Sequence, residues 1–407
     1  MKADHPKNPR VQFAKYAAIN LAFFITLTFG GYVTVFLQSI GFNAQQVGLI
    51  SALNSGAAIF ASPFFGFLSD KLRSLKKVLT IALVVGSAFF IVIPFASGFY
   101  MAGFSVLFIL IPIATFFRMP VMPLLDNWML LNSRDEKLNY GALRAFGSLS
   151  FAVGALALGY IVPMVGVDSI FFASAVVTVP AILMITFIRG SADNGAGQKK
   201  LSFKEMQIGQ LFKNYYLVTY IIFSIFQRIP FQGSMIFLPF LIDDIGGNVA
   251  QMGIIMGLRA LAEIPTMMLL KPLRQKYPLY ILIIAATTLF IAESFLHSVA
   301  TSFNTLIVIS LVHGVGNGII LTAGSSYVFS LAPEHLKATT QTVLSSMAAV
   351  AGIIGGLLGG LLIALFSIQQ FYLFIGIMLA VALVLFVASF FVGEKLLGLK
   401  RPGLSLN

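Results

Sequence analysis

The sequence predicts an all-α integral membrane protein with twelve transmembrane helices arranged as two six-helix bundles. Of its 407 residues, 58% are hydrophobic and only 10% are charged, and the mean hydropathy is +0.94, which excludes a soluble globular protein. The apolar runs are about 20 residues or longer, as a membrane-spanning helix requires, and are too long for barrel strands. A polar break separates six runs from six, which predicts the two bundles.

The predicted helices are bounded by charged residues, proline and glycine. They lie near residues 13–37, 45–69, 76–97, 100–131, 140–163 and 168–188, and then near 213–241, 250–270, 278–297, 304–332, 338–366 and 370–393. The segment between the two sets is rich in glycine, serine, asparagine and lysine, which predicts a linker followed by a short surface helix. The predicted organisation is a bundle at 1–188, a linker at 189–212 and a bundle at 213–407.

The basic residues indicate how the chain is oriented in the membrane. Lysine and arginine in the loops fall on one side, for example at 71–77, 134–137 and 271–276, together with both ends of the chain. The positive-inside rule then places both termini and the linker in the cytoplasm. This topology explains the net charge of +12, so no nucleic-acid partner is expected. We expect a multi-pass protein of the bacterial cytoplasmic membrane, with the first helix as the targeting signal.

The composition also excludes several kinds of catalytic site. The chain has no cysteine and only four histidines, so disulfides, thiolate metal sites and thiol nucleophiles are excluded. The glycines of GIIGGLLGG at 352–360 are interpreted as positions of close helix packing, and no phosphate-binding signature is found. We therefore expect no enzyme, no cofactor and no metal.

The stretch 118–151 interrupts the apolar sequence with charged residues and contains the first candidate site. Its polar middle predicts a turn between two antiparallel helices, which brings Asp126 and Arg144 face to face. A charge inside a bilayer is costly unless it is paired or hydrated, so each one is a candidate functional group. The ionisable residues within or at the edges of predicted spans are Arg118, Asp126, Arg144, Arg228, Arg259, Glu263 and Glu293.

The loop after the second predicted span contains a family motif. Its sequence at 66–77, GFLSDKLRSLKK, resembles the G-x-L-x-D-[RK]-x-x-R-[KR] signature of the major facilitator superfamily of secondary transporters. With twelve spans and a basic central loop, the resemblance covers the whole chain. It implies that the loop is cytoplasmic and that Asp70, Lys71 and Arg73 gate the inner face. The alternative is that these charges only anchor helix ends at the headgroups.

A second pattern narrows the resemblance. The runs PLLD at 123–126 and YGALRAFG at 140–147 are similar to a pattern shared by oligosaccharide, nucleoside and phenylpropionate proton symporters. In the sugar members, the acid and the arginine hold hydroxyls and an aromatic ring seven residues later stacks on the sugar. The resemblance therefore implies substrate binding by Asp126, Arg144 and Phe151.

The tenth predicted span also resembles this branch. Its run LVHG at 311–314 is similar to the histidine-bearing motif, although Gly316 stands where the disaccharide member has a proton-binding glutamate. The LVHG form and the run AEI at 262–264 are more similar to the phenylpropionate members. This departure leaves the proton-binding residue open.

Other membrane-embedded residues complete the candidate site. Arg259 and Glu263 are four residues apart on one predicted helix, so they could pair with each other, or Glu263 could carry the proton. Asp126 and Glu293 are further candidates for proton coupling. Arg228, just before a proline, and His313 with Asn317 on one helix face are candidate substrate ligands. The only tryptophan, Trp128, is interpreted as an interface anchor.

These observations predict a proton-coupled symporter that takes up a small organic solute by alternating access. The solute is either a sugar or nucleoside, or an aromatic monocarboxylate such as phenylpropionate. An exporter or a proton-independent facilitator of the same fold is the alternative. The expected partners are the solute, the proton whose gradient supplies the energy, and the lipid bilayer, and we expect a monomer.

Overall fold

The computed structural model describes residues 9–135, 138, 140–187, 208–333 and 336–402. Within these residues, twelve helical segments are long and apolar enough to cross a membrane. This number and the helical content confirm the predicted all-α membrane fold. Which side of the membrane the termini face stays a prediction.

The first half contains eight helices among the described residues. They are α1 (Pro9–Gly31), α2 (Val33–Ser39), α3 (Ala44–Leu72), α4 (Leu75–Val92), α5 (Leu107–Arg118), α6 (Val121–Asp135), α7 (Tyr140–Val165) and α8 (Ser169–Phe187). A 3₁₀ turn at Pro94–Ala96 and a two-stranded hairpin lie between α4 and α5. The predicted spans are recovered, with the first and fourth each built from two helices.

Most helices of the second half are long, and two π-helical turns interrupt their regularity. The helices are α9 (Tyr215–Asp244), α10 (Val249–Lys276), α11 (Leu279–Ser298), α12 (Phe303–Ile319), α13 (Ser325–Leu331), α14 (Lys337–Leu365) and α15 (Ile368–Phe391). The tenth span joins α12 to α13 through a π-helical turn at Ile320–Gly324, and a second π-helical turn at Val392–Leu396 follows α15. The sequence did not predict either π-helical turn.

The chain divides into two compact units. The first comprises the described residues of Met1–Gly41 and Gly56–Lys199, and the second those of Phe42–Ser55 and Lys200–Asn407. Helix α3 therefore contributes its first part to the second unit. Residue 188 and residues 189–207 of the predicted linker lie outside the described residues, and Ile208–Lys213 form a 3₁₀ helix before α9. The predicted bundle boundaries stay a prediction.

The fourth span begins later than the sequence predicts. A helix was expected from residue 100, but Tyr100–Met101 and Phe104–Ser105 form an antiparallel hairpin, and α5 begins at Leu107. The two residues between these strands, Ala102 and Gly103, have φ angles of 50° and 83°. Two successive positive φ angles produce the tight turn that joins short strands, and they are incompatible with a right-handed helix.

Polar side chains fix the starts of several helices in the second unit. Asn248 and Gln251 form a capping box at α10, and Ser367 and Gln370 form another at α15. Each box satisfies backbone N–H groups at a helix start that have no partner within the helix. Residues close in sequence therefore define where α10 and α15 begin.

Glycines let α14 approach its neighbours closely within the second unit. A Cβ at Gly355 would overlap the carbonyl oxygen of Ile229 on α9, and one at Gly359 would overlap the ring of Phe237. On the other side, Gly356 faces the backbone of Gly48 in the first part of α3. This geometry agrees with the close-packing interpretation of the 352–360 glycines.

Candidate functional site

Asp126 and Arg144 form an ion pair inside the first unit. Asp126 lies on α6 and Arg144 on α7, and the distance from Arg144 Nε to Asp126 Oδ1 is 3.9 Å. Their side chains are 30% and 31% exposed. The separation is too long for a direct hydrogen bond between these two atoms, and both side chains are partly accessible. The predicted juxtaposition across the turn is present in the structure.

An aromatic ring contacts the guanidinium group of Arg144. The guanidinium carbon lies 4.3 Å from the ring centroid of Phe24 on α1, within the range of a cation–π contact. A Cβ at Gly147 would overlap that ring, so glycine one turn after Arg144 makes room for Phe24 against α7. Arg144 Nη1 also donates to Ser148 Oγ at 3.5 Å. The Phe24 ring and Ser148 together restrict the position of the Arg144 guanidinium.

The predicted aromatic partner, Phe151, lies two turns beyond Arg144 on α7 and is half-buried. The ring in contact with the guanidinium is Phe24 instead. The sequence offered no signal for Phe24, because this residue lies in an apolar run of α1 that is distant along the chain. The substrate role of Phe151 stays a prediction.

Arg118 forms a separate packing site. Its Nη1 donates to Ser174 Oγ at 3.2 Å, and its Nη2 donates to the carbonyl oxygen of Thr26 at 3.2 Å. The guanidinium carbon lies 4.0 Å from the ring centroid of Phe90. These contacts join α5 to α1, α4 and α8, so Arg118 holds the first unit together.

Trp128 is buried within the first unit and is not exposed to headgroups. The side chain is fully buried and packs edge-on against Tyr16, with 5.8 Å between ring centroids. The sequence prediction of an interface anchor is therefore wrong. The helix face that carries Trp128 points into the core of the first unit, which hydrophobicity alone could not distinguish from a lipid-facing position.

Glu293 is the centre of a buried charge cluster in the second unit. His313 Nδ1 lies 2.9 Å from Glu293 Oε1 and 3.0 Å from Oε2, and Arg259 Nη2 lies 3.5 Å from Oε1. His297 Nδ1 is 3.8 Å from the same oxygen. The Glu293 and Arg259 side chains are each only 4% exposed. Helices α10, α11 and α12 thus bring three nitrogen-bearing side chains to one carboxylate.

The partners of Arg259 and Glu263 differ from the sequence expectation. The two residues are one turn apart on α10, a spacing that allows a mutual pair. Arg259 instead forms its ion pair with Glu293 on α11, whereas Glu263 accepts a hydrogen bond of 2.5 Å from Asn317 Nδ2 on α12. The i, i+4 spacing allowed the pair, but neighbouring helices supply these other partners.

The histidine of the cluster lies between aromatic rings next to a small cavity. His313 stacks on Phe231 at 5.5 Å between centroids and contacts Phe290 at 5.7 Å. The volume that the centre of a water molecule can occupy in this cavity is about 10 Å³. This is about enough for one water molecule. Its polar lining is formed by Gln227, Ser234, Glu293, Ser294 and His313. A proton on this cluster can therefore be hydrated without opening the helix bundle.

Arg228 on α9 is half-buried. Among the residues that the structure describes, it has no hydrogen-bond or ion-pair partner. It lies next to Gln227, which donates to Thr287 Oγ1 at 3.2 Å. The role of Arg228 as a substrate ligand stays a prediction.

The predicted gating loop is a tight connection between α3 and α4. Lys71 and Arg73 are exposed, and the side chain of Asp70 lies outside the described part of the structure. Arg73 has a φ angle of 49°, and the N–H of Ser74 donates to the carbonyl oxygen of Ser69 at 3.3 Å. This is the geometry of a helix end that usually requires glycine. The gating role of the three residues stays a prediction.

His297 is the cluster member that the sequence interpretation missed. It is buried, and its Nδ1 has no hydrogen-bond partner within the described residues. The signal was present, because His297 follows Glu293 by four residues on α11 and such residues share a helix face. His313 was identified by motif only, and neither residue could be connected with Arg259 without the tertiary structure.

Curated relatives extend over most of the chain. It is 25% identical over 308 residues to the uncharacterized transporter YwbF of Bacillus subtilis (strain 168), covering 75% of this chain and 74% of that protein. It is 23% identical over 330 residues to a maltose permease of Geobacillus stearothermophilus, covering 80% and 81%. A putative sugar efflux transporter of Deinococcus radiodurans is 23% identical over 328 residues, covering 80% and 84%.

Solved structures show the same fold. The nucleoside transporter NupG superposes with a TM-score of 0.79 at 17% identity, covering 94% of this chain and 99% of that chain. A bacterial homolog of the human lysosomal transporter Spinster superposes with a TM-score of 0.68 at 13% identity, covering 98% and 100%.

The family assignment follows from the sequence itself. The profile of the family described as MFS_1 like matches residues 16–374. Together with the twelve membrane-spanning helices, this match identifies a multi-pass protein of the cytoplasmic membrane that transports a small molecule and is not an enzyme. The chain belongs to the MFS_1-like family of major facilitator superfamily transporters.

Proposed function

We propose that the chain is a proton-coupled symporter that takes up a hydroxyl-rich solute, a sugar or a nucleoside. The observation that supports this most directly is the half-exposed Asp126–Arg144 pair above Phe24. A solute hydroxyl can donate to the carboxylate and accept from the guanidinium at once. The maltose permease and the putative sugar efflux transporter among its relatives favour the same class of solute.

The charge of Asp126 argues against a carboxylate solute at this pair. A monocarboxylate bound by Arg144 would approach the Asp126 carboxylate, and like charges at close range repel. Hydroxyl groups avoid this repulsion and use both partners. The Asp126–Arg144 pair is therefore better matched to a sugar or nucleoside than to phenylpropionate.

For proton coupling we propose Glu293 with His313, in preference to Glu263 or Asp126. Glu293 is shielded from water, contacts an imidazole at 2.9 Å and borders a cavity of one-water size. The proton can be shared along the Glu293–His313 hydrogen bond, while Arg259 compensates the negative charge when the proton leaves. Alternating access then couples the occupation of the two centres.

An aromatic monocarboxylate is the second candidate, and Arg228 is the observation that favours it. A half-buried guanidinium without an ion-pair partner in the described residues is a natural ligand for a carboxylate. Under this alternative, Arg228→Gln abolishes uptake of phenylpropionate. Under the sugar or nucleoside proposal, the solute depends on Asp126 and Arg144.

The test uses purified protein in proteoliposomes with an imposed inward proton gradient. Radiolabelled maltose, uridine and phenylpropionate serve as probes. We expect accumulation of maltose or uridine that disappears when a protonophore collapses the gradient. Accumulation that persists after collapse would indicate a facilitator, outward movement would indicate an exporter, and uptake of phenylpropionate alone would favour the second candidate.

A further inference from the structure

His297 lies between Glu293 and the end of α11. It lies in the last turn of α11, one turn beyond Glu293, and Val299 two residues later is 69% exposed. The transmembrane segment ends at Ser298. His297 therefore stands between the buried carboxylate and the end of its helix, at the side that the basic-residue pattern predicts to be outside.

The contacts of His297 differ from those of a structural histidine. A buried histidine in a packing role normally has both ring nitrogens satisfied, because an unpaired buried polar atom is costly. His297 Nδ1 faces Glu293 Oε1 at 3.8 Å, beyond hydrogen-bond distance, and has no hydrogen-bond partner among the described residues. A small rotation of the carboxylate from His313 toward His297 would form the bond.

The groups around His297 come from four helices. Glu293 faces it from α11 itself, Arg259 from α10, His313 from α12 and Tyr372 from α15. The Tyr372 ring covers the imidazole at 4.6 Å between centroids, and its hydroxyl donates to the carbonyl oxygen of Ser234 at 3.2 Å. The positive charge of Arg259 destabilises a protonated His297, which favours release of the proton from the imidazole.

We propose that His297 carries protons between Glu293 and the solution at the end of α11. An imidazole accepts a proton on one ring nitrogen and releases another from the second. In the inward direction, His297 takes a proton at Nε2, the Nδ1 proton bonds to a Glu293 carboxylate oxygen, and the ring returns to neutral. No other reactant is needed. This step rests on the proposed function in taking Glu293 as the proton-binding residue.

The test follows the protonation of Glu293 directly and needs no solute. After a rapid drop of pH, time-resolved infrared spectroscopy of the full-length protein records the carboxylic acid band that is absent in Glu293→Gln. We expect His297→Gln to slow the appearance of this band by roughly 10-fold or more, the scale of a lost acid–base group, with the same final amplitude. Added imidazole should restore part of the rate. His5→Gln, which removes a histidine from the N-terminal segment, is the matched control.

Further variants keep the test decisive. If His297→Gln does not fold, His297→Asn and Tyr372→Leu replace it, and Tyr372→Leu should speed protonation because it uncovers the imidazole. An unchanged rate in the histidine variants, or no Glu293 band at any pH in the wild type, overturns the proposal. The proposed function fails separately, if wild-type solute accumulation does not respond to the proton gradient.

Discussion

The Asp126–Arg144 pair and the Glu293–Arg259 pair differ in exposure and in the number of groups that contact the carboxylate. The Asp126–Arg144 pair is about one-third exposed and its groups lie 3.9 Å apart, so neither partner is committed to the other. The Glu293–Arg259 pair is 4% exposed, and Glu293 is also bonded to His313 at 2.9 Å. An open pair can exchange one partner for a solute, whereas a sealed pair can accept only a group as small as a proton or a water.

Burial also changes what each pair contributes to stability. An exposed ion pair contributes about 0–1 kcal/mol, because water solvates both charges when the pair breaks. Removing one partner of a buried pair costs about 3–5 kcal/mol, because the other charge stays in a low-dielectric interior. The two centres should therefore respond differently to the same kind of substitution, and four predictions test this difference.

The largest effect is expected for Glu293→Ala. This change leaves the buried Arg259 charge without its carboxylate, and the free energy of unfolding should fall by about 3–5 kcal/mol. Thermal unfolding of the purified protein in detergent measures the loss. Glu394→Ala is the matched control, because Glu394 pairs with Arg401 at a site where both side chains are more than 30% exposed. Equal melting temperatures for the two variants would contradict the view that the buried Glu293–Arg259 pair contributes more to stability than an exposed pair.

The opposite pattern is expected for Asp126→Ala and Arg144→Ala. Each should lower the initial uptake rate about 100-fold, since hydrogen bonds to charged groups contribute about 1.5–3 kcal/mol. The free energy of unfolding should change by less than about 1 kcal/mol, because the pair is partly exposed. Uptake in proteoliposomes and thermal unfolding of the same preparations measure both quantities. Normal uptake in both variants would remove the pair from the substrate site.

A smaller effect is expected from Gly147→Ala. The added Cβ would overlap the Phe24 ring and displace it from the Arg144 guanidinium. A cation–π contact at such a site contributes about 0.5–1 kcal/mol, so the KM for the solute should rise about 2- to 5-fold. Gly154→Ala is a useful comparison, because Gly154 is on the same helix but faces Thr28 rather than the site. The same KM change in both variants would indicate general disturbance of α1–α7 packing.

The smallest effect is expected from Glu263→Gln. This side chain is partly exposed and bonded to Asn317, and a glutamine can keep a hydrogen bond to that amide. Accumulation driven by the proton gradient should stay within about 2-fold of the wild type, because the net free energy of one neutral hydrogen bond is small, about 0.5 kcal/mol at its lower end. Glu293→Gln should instead lose accumulation while solute counterflow continues. The reverse result would move the proton site to Glu263.

Local sequence features predicted much of the fold because the bilayer restricts the choices. A run of about 20 apolar residues must be helical in lipid, so the number and approximate bounds of the spans followed from hydropathy. The error at residues 100–106 arose where this constraint weakens, since a hairpin with Ala102 and Gly103 at its turn can form near the end of a span. The burial of Trp128 was mispredicted because apolar helix faces toward lipid and toward protein have the same composition.

The candidate sites were predictable only in part. The motif around Asp126 and Arg144 placed both residues across one turn, and the structure brings them together. Phe24 could not be found, because contacts between helices that are distant along the chain leave no local pattern. Glu293, His313 and His297 were each visible as polar residues in apolar spans, but their connection depends on how α10, α11 and α12 pack.

The sequence by itself determined that this chain is a twelve-span helical membrane protein and a major facilitator transporter, and it marked which polar residues are costly in the membrane. Only the tertiary structure decided their partners: Arg259 with Glu293 rather than Glu263, Arg144 over Phe24, and His297 Nδ1 at 3.8 Å from a buried carboxylate. The physical reason is that hydrophobicity acts residue by residue along the chain. Pairing of buried charges depends instead on distances of a few ångströms between separate helices, which packing alone sets.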